Sequence, residues 1–198
     1  IVNGVSKDFF PLNQEPQKSI GPTVITFVGT VESWVNFANI MDAISTLNYQ
    51  NNGKFILKII GDGSKLREVK ETVHQKGLNE SVIFTGWVSY ARLHEYLKDS
   101  DICILPFDGG SISSLSMPMK IHEYAISKKP IITTPLPEIK KMYGPSVLYA
   151  TTKEEYVKAI KLLEDKKLKL LLIEKAYKIA NNYSWEQLAE KYECLFNN

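Results

Sequence analysis

The chain has 198 residues, 44% of them hydrophobic, with 24 basic side chains against 22 acidic ones. That length and apolar content suffice for one full core, and the balanced charge excludes the broad basic face that nucleic-acid binding needs. No apolar run reaches the roughly 18 residues of a membrane span, and Cys103 and Cys194 lack metal-ligand spacing, which fits a reducing, cytoplasmic setting.

In chain order, Ile1-Val2-Asn3-Gly4-Val5 reads as the end of a strand running into a turn, so the expectation is a piece of a longer protein; a trimmed complete protein is the alternative. Val24-Ile25-Thr26-Phe27-Val28 is a continuous apolar strand ended by Gly29. Ser33 can cap a helix whose apolar positions Phe37, Ile40, Met41, Ile44 and Leu47 form a helical stripe. After the turn at Asn51-Asn52-Gly53, Phe55-Ile56-Leu57-Lys58-Ile59-Ile60 forms a second strand, stopped by Gly61-Asp62-Gly63 and followed by a helix from Leu66 to Lys76. Val82-Ile83-Phe84-Thr85 is a third strand ended by Gly86, and Ala91 to Lys98 a short helix with Leu93 and Leu97 inward.

Asp101-Ile102-Cys103-Ile104-Leu105-Pro106 is a buried fourth strand. The loop Phe107-Asp108-Gly109-Gly110-Ser111-Ile112-Ser113-Ser114 then leads to a helix opened by Pro118. Lys129-Pro130-Ile131-Ile132-Thr133-Thr134 is the fifth strand and Val147-Leu148-Tyr149 the sixth. Three helical segments close the chain, 153–164, 166–181 and 185–196, the last opened by the capping box Ser184-Trp185-Glu186-Gln187. Strands apolar throughout, alternating with helices, predict an α/β, doubly wound, Rossmann-like parallel sheet covered on both faces.

Ligands of such sheets sit beyond the carboxyl ends of the strands. The loops there are 29–33, 61–64, 86–89, 106–117 and 134–138. A glycine- and serine-rich loop feeding a helix start collects free backbone N–H groups and the positive end of the helix dipole, which suits a phosphate. Glu123 is expected one and a half turns into the Pro118 helix, its side chain leaning back toward a neighbouring group such as a ribose diol; an ordinary solvated helix carboxylate is the alternative. Lys120 shares that face, as a phosphate ligand or as a surface lysine. Trp87 is open between base stacking and core packing.

Other patterns are weaker. His74, His94 and His122 lack pairing spacing for a metal, and Asp99-Ser100-Asp101 precedes the fourth strand, at the wrong edge of the sheet for a metal-binding aspartate pair. Gly29-Thr30-Val31-Glu32 lacks the second glycine of a dinucleotide fingerprint. The basic, amphipathic stretch from Lys166 to Ile173 reads as a helix packed on the domain with its lysines outward, or as a peripheral membrane contact.

The order of these segments resembles the carboxyl-terminal, donor-binding domain of GT-B glycosyltransferases, in the retaining group 1 (family 4-like) set. The resemblance rests on Ile1-Val2-Asn3-Gly4-Val5 with Phe9-Phe10, Phe27-Val28-Gly29, Ile59-Ile60-Gly61-Asp62-Gly63, Phe84-Thr85-Gly86-Trp87-Val88 and Asp101-Ile102-Cys103-Ile104-Leu105-Pro106. Its most specific part is Pro118-Met119-Lys120-Ile121-His122-Glu123-Tyr124-Ala125 with Lys129-Pro130-Ile131-Ile132, and Tyr183-Ser184-Trp185-Glu186 completes it.

The resemblance implies one domain of a two-domain enzyme: an interdomain linker over 1–20, a donor domain over 21–183, and a terminal helix over 184–198 that packs back toward an absent amino-terminal acceptor domain. It implies a hexosyltransferase of polysaccharide biosynthesis, inactive as this isolated piece, that moves sugar from a UDP- or GDP-sugar with retention and without metal or other cofactor. Glu123 matches the glutamate that binds the donor ribose. Backbone around Ser116, Met117, Pro118 and Met119, with Lys120, would hold the distal phosphate and sugar. The Trp87-Val88 edge would pair with the base; Gly29, Thr30, Gly61 and Gly63 would line the diphosphate. Three departures stand out: Leu115 replaces the first glutamate of the family's pair, and Thr30 and Asn36 replace its arginine and lysine. A non-catalytic nucleotide-sugar binding or scaffold module is therefore the alternative.

Overall fold

The computed structural model describes residues 4–5, 21–51, 54–108 and 118–196. Six parallel strands, β1 (Thr23–Val28), β2 (Phe55–Ile60), β3 (Val82–Gly86), β4 (Ile102–Leu105), β5 (Ile131–Thr133) and β6 (Leu148–Tyr149), lie in the order β3-β2-β1-β4-β5-β6. The chain runs outward from β1 to β3 and then returns to lay β4 against β1, with Ile25 opposite Ile102. This is the doubly wound sheet expected, and its topological switch point lies between β1 and β4.

Successive residues of each strand feed opposite cores, which is why the strands are largely apolar on both faces, with Thr26, Lys58 and Thr133 as buried polar exceptions. Ile25, Phe27, Leu57, Ile59, Ile102 and Ile104 pack with helix α1 (Ala38–Asn51) and with Tyr156 and Ile160 of α6 (Lys153–Leu162). Val28, Ile60, Cys103 and Leu105 face the other way, toward α3 (Leu93–Lys98), α4 (Lys120–Ile126) and α5 (Pro137–Tyr143). The remaining helices are α2 (Leu66–Gln75), α7 (Lys166–Ala180) and α8 (Trp185–Phe196). Cys103 is fully buried, and burial pushes its thiol up to about 12. It is a packing residue.

Three local expectations change. Ser33 does not cap α1, which starts only at Ala38, where the Asn36 side chain accepts the Ala38 N–H at 3.0 Å. Residues 34–36 are occupied across the switch point instead: Asn36 N–H donates to Pro106 O at 2.7 Å, and Asp108 N–H to Trp34 O at 2.9 Å. Helix α5 lies where a loop over 134–138 is expected; its seven residues present only Ile139 and Tyr143 to the core, too little for a periodic signal. Finally, α4 begins at Lys120 and not at Pro118, so Glu123 lies in the first turn.

The terminal capping box is half formed. The Ser184 side chain accepts the Gln187 N–H at 3.2 Å, whereas a complete reciprocal box stands at Thr152 and Glu155, opening α6. Val5 N–H donates to Tyr183 O at 2.9 Å and Trp185 N–H to Val5 O at 3.3 Å, so the start of the described chain is paired beside the start of α8. Of the linker expected over 1–20, residues 1–3 and 6–20 lie outside the described residues.

Two lysines hold the carboxyl end of α3. Lys58 Nζ donates to Tyr96 O at 2.9 Å, and Lys129 Nζ to Lys98 O and Ser100 O at 2.8 and 2.7 Å. Both ammonium groups are partly buried, which lowers their pKa. They satisfy carbonyls that the helix cannot pair itself and sit at the negative end of its dipole.

The loops leaving β1 and β2 continue the backbone ladder past the strands. Gly29 N–H donates to Ile60 O at 3.0 Å, Gly61 N–H to Gly86 O at 2.9 Å, and Val31 N–H to Asp62 O at 2.9 Å. A Cβ at Gly61 would collide with Gly29 O, and one at Gly63 with Val31 O. Both glycines thus have a packing reason that needs no ligand. Gly61→Ala should cost about 3 kcal/mol of stability. Gly77→Ala, at φ +66 with no atom within 4 Å of the added methyl, should cost about 1 kcal/mol. Urea unfolding of both variants checks this, and equal losses would refute the loop-contact account.

Candidate functional site

At the carboxyl edge of the sheet, the Tyr124 hydroxyl accepts the Val28 N–H at 2.8 Å, at the last residue of β1. Tyr124 is fully buried. This contact seats α4 against the exit of β1 and places Glu123, the preceding residue, by the loop that starts at Gly29. Gly29 is half-buried and Thr30 exposed there.

Glu123 is not a solvated carboxylate. Its side chain is 2% exposed; Oε2 pairs with Lys120 Nζ at 2.7 Å, and among the described residues Oε1 has no partner within hydrogen-bonding limits. Burial raises its pKa, with the Lys120 charge and the Tyr90 hydroxyl working against that rise. A buried carboxylate with an unpartnered oxygen weakens the empty fold, and such groups concentrate at sites that bind or react.

Lys120 lies one turn before Glu123 on the same face, as its spacing implies. Its Nζ also stands 5.3 Å above the centre of the Tyr90 ring. Tyr90 starts the 3₁₀ turn Tyr90–Arg92 after β3, so three side chains from two distant segments meet. The sequence carries no signal for Tyr90, because nothing in its spacing relates it to the Pro118 region.

The other expected residues divide. Trp87, on the same loop as Tyr90, is 75% exposed, which removes the core-packing reading, while Val88 packs against the second core. Pro118 and Met119 lead into α4, and their carbonyls accept the N–H groups of Ile121 and His122 at 3.2 and 3.0 Å. Ser116, Met117 and Leu115 lie outside the described residues. Gly61 and Gly63 sit at the edge of the site with the loop contacts given above. Glu32 also belongs to this edge; its carboxylate accepts the Ser64 N–H at 2.9 Å and the Ser64 hydroxyl at 2.5 Å, which lowers its pKa. That acidic charge is held on the β2–α2 loop.

Behind Glu123, His122 is fully buried. Its Nδ1 and the Tyr143 hydroxyl share a 2.7 Å hydrogen bond, and its ring stacks on Tyr183 with centroids 5.2 Å apart. Burial lowers its pKa to about 4, so it is neutral at pH 7. Its Nε2 has no partner among the described residues. The Asp99-Ser100-Asp101 run is structural: Asp101 Oδ2 accepts the Val24 N–H at 2.9 Å, and Ser100 and Thr26 share a 2.6 Å hydroxyl bond. Among the described residues no three His, Cys, Asp or Glu side chains gather as a metal site would require. On α7, Leu172, Ile173 and Ala176 are buried while Leu170 and Leu171 are about half exposed, and no described helix is long and apolar enough to cross a membrane.

The family model described as glycosyl transferases group 1 matches residues 9–182, most of the chain. TuaH of Bacillus subtilis (strain 168), named for teichuronic acid biosynthesis, is 27% identical over 153 residues, covering 74% of this chain and 36% of TuaH. The carboxyl-terminal domain of the group 1 protein LpcC from Francisella tularensis superposes with a TM-score of 0.71 at 18% identity, covering 92% of this chain and 100% of that one. A TarM variant from S. aureus, solved with UDP, superposes with a TM-score of 0.71 at 16% identity over 96% of this chain and 38% of its own. The chain therefore spans about a third of its curated relative, has the fold of a GT-B carboxyl-terminal domain, and belongs to the group 1 glycosyl transferases.

Proposed function

We propose that this chain is the donor half of a glycosyltransferase and binds a UDP- or GDP-sugar where Glu123, Lys120 and the Trp87 loop converge. The observation that carries the reading is the buried Glu123 carboxylate, whose Oε1 has no hydrogen-bond partner among the described residues. A pentose diol can donate two hydrogen bonds to such a group. The exposed Trp87 offers a stacking face beside it, and the Val88 backbone an edge for the base. TarM with bound UDP lends the same fold a nucleotide partner.

As the sugar's bond to the diphosphate breaks, negative charge grows on the leaving group. Lys120 and the N–H groups around Ser116 to Met119 would meet that charge without a metal ion. Retention at the anomeric carbon follows from the family likeness. The acceptor would be held by an amino-terminal domain outside this chain, a view favoured by the 36% share of TuaH that the chain spans. In that arrangement residues 1–20 link the domains and 184–198 return toward the first; the pairing of Val5 with Tyr183 and Trp185 supports it. The chain alone would then bind donor without turning it over. A non-catalytic binding module is the second reading, favoured by uncharged Thr30 and by Asn36, which is spent on capping Ala38. Peripheral membrane contact through the half-exposed Leu170 and Leu171 belongs to the same proposal.

Calorimetry with UDP and GDP should detect binding, and Glu123→Ala should weaken it about 10- to 100-fold, the worth of hydrogen bonds to a charged group. No heat from either nucleotide at millimolar concentration would refute the proposal.

The empty site should also reveal its cost. With its pKa raised in the folded state, Glu123 keeps a proton that the unfolded chain releases, so its contribution to stability is present below pH 4.5 and lost as pH rises through the raised value. Glu123→Gln should therefore melt higher than wild type at pH 7 without nucleotide, with the gap closing toward pH 4. His122 is common to both chains and cancels in the comparison. A lower melting temperature for Glu123→Gln at pH 7 would contradict the account.

A further inference from the structure

Lys120 carries a long, flexible side chain whose ammonium would ordinarily extend into water. Here it is held inward, 2.7 Å from Glu123 Oε2 and 5.3 Å from the Tyr90 ring centre. Tyr90 is 43% exposed, so its ring spans the wet rim of the site and the buried carboxylate. A cation over an aromatic face is attracted by the ring quadrupole, and the attraction grows as water is removed. Thr30 and Asn36 bring no charge to this edge. The orientation of Lys120 therefore matters more here than in a site with several cations.

We propose that Tyr90 is a positioning residue, whose ring holds Lys120 over Glu123 so that the pair meets an incoming nucleoside diphosphate in one fixed geometry. The inference rests on the nucleotide reading above for its consequence, though the hold itself is a property of the free chain. Among the described residues, the groups that act on the Glu123 carboxylate are Lys120 from α4 and the Tyr90 hydroxyl from the turn before α3, while the neighbouring Tyr124 hydroxyl is engaged by Val28 N–H. His122 is engaged by Tyr143 and Tyr183. Two lysines brace α3 behind Tyr90, since Lys58 and Lys129 bind its last carbonyls. The helix that follows the Tyr90 turn is thus anchored at its far end, and the ring over Lys120 belongs to the free chain.

The test uses the 198-residue chain with Tyr90→Phe, which keeps the ring and loses the hydroxyl, and Tyr90→Leu, which loses both. In the free protein, NMR should show the Lys120 ε-methylene shifted by the ring current in wild type and Tyr90→Phe, and unshifted in Tyr90→Leu. Carboxylate titration should place the Glu123 midpoint higher in both variants than in wild type, and highest in Tyr90→Leu. Affinity for UDP or GDP should fall about fivefold or more in Tyr90→Leu, less in Tyr90→Phe, with the acid limb of binding moved to higher pH. A Tyr90→Leu chain that melts like wild type and keeps the Lys120 shift, the Glu123 midpoint and the affinity would overturn the proposal. Should wild type bind neither nucleotide, the nucleotide reading falls, and the two NMR measurements alone decide whether Tyr90 holds the pair.

Discussion

The hydrogen bond from Val28 N–H to the Tyr124 hydroxyl sits at the last residue of β1, inside a region closed to water. Its donor is a buried backbone amide, and the phenol is its partner. Left unpaired there it would cost on the order of 1–3 kcal/mol. Meeting that demand requires a phenol from the far side of the switch point, and α4 is the element that supplies it. Once Tyr124 is seated, the helical repeat leaves little freedom to its neighbours: Glu123 faces the β1 exit, Lys120 lies one turn away, and His122 turns inward to Tyr143 and Tyr183. The site is thus a by-product of satisfying one backbone donor at the point where the sheet reverses its winding.

Around this anchor the fold uses backbone more than side chains to hold the rim. The β1 loop pairs with the end of β2 through Gly29 and Ile60 and with the β2 loop through Val31 and Asp62, Gly61 pairs in turn with Gly86, and the loop before α1 pairs with the exit of β4 through Asn36 and Trp34. These backbone bonds do not depend on the charge carried by an exposed side chain such as Thr30. That arrangement lets Thr30 and Asn36 stand where relatives of this kind are expected to carry cations. On α4, Lys120 pairs with the buried Glu123 carboxylate. Glu32, the nearest acidic group on the β1 loop, is drawn onto Ser64.

A second layer lies behind the site. His122 is neutral, stacked on Tyr183 and bonded to Tyr143, and Tyr183 in turn pairs with Val5 through its carbonyl. A continuous set of contacts therefore runs from α4 to the segment that begins the described chain. Packed interiors transmit small shifts poorly unless an element has two arrangements. What these contacts supply is rigidity, keeping α4 and the start of α8 in fixed relation.

The amino-acid sequence by itself determined the strands, the parallel sheet and where the chain leaves it. Strands apolar on both faces can be buried only with both faces covered, and glycines after Val28, Ile60 and Thr85 mark where chains leave the sheet. It also singled out Glu123 and Lys120, because spacing along one helix is a local property. Tyr90, Tyr124's bond to Val28, and the burial that makes Glu123 costly were not legible, since each depends on groups from different segments. For the same reason the packing demand on Gly61 and Gly63 was not legible: the carbonyls of Gly29 and Val31 lie where their side chains would be. Helix α5 escaped notice because two buried residues make no period. Periodicity reports what a segment does with its own neighbours; only the folded chain decides which segments become neighbours, and the charge balance of the site depends on that choice.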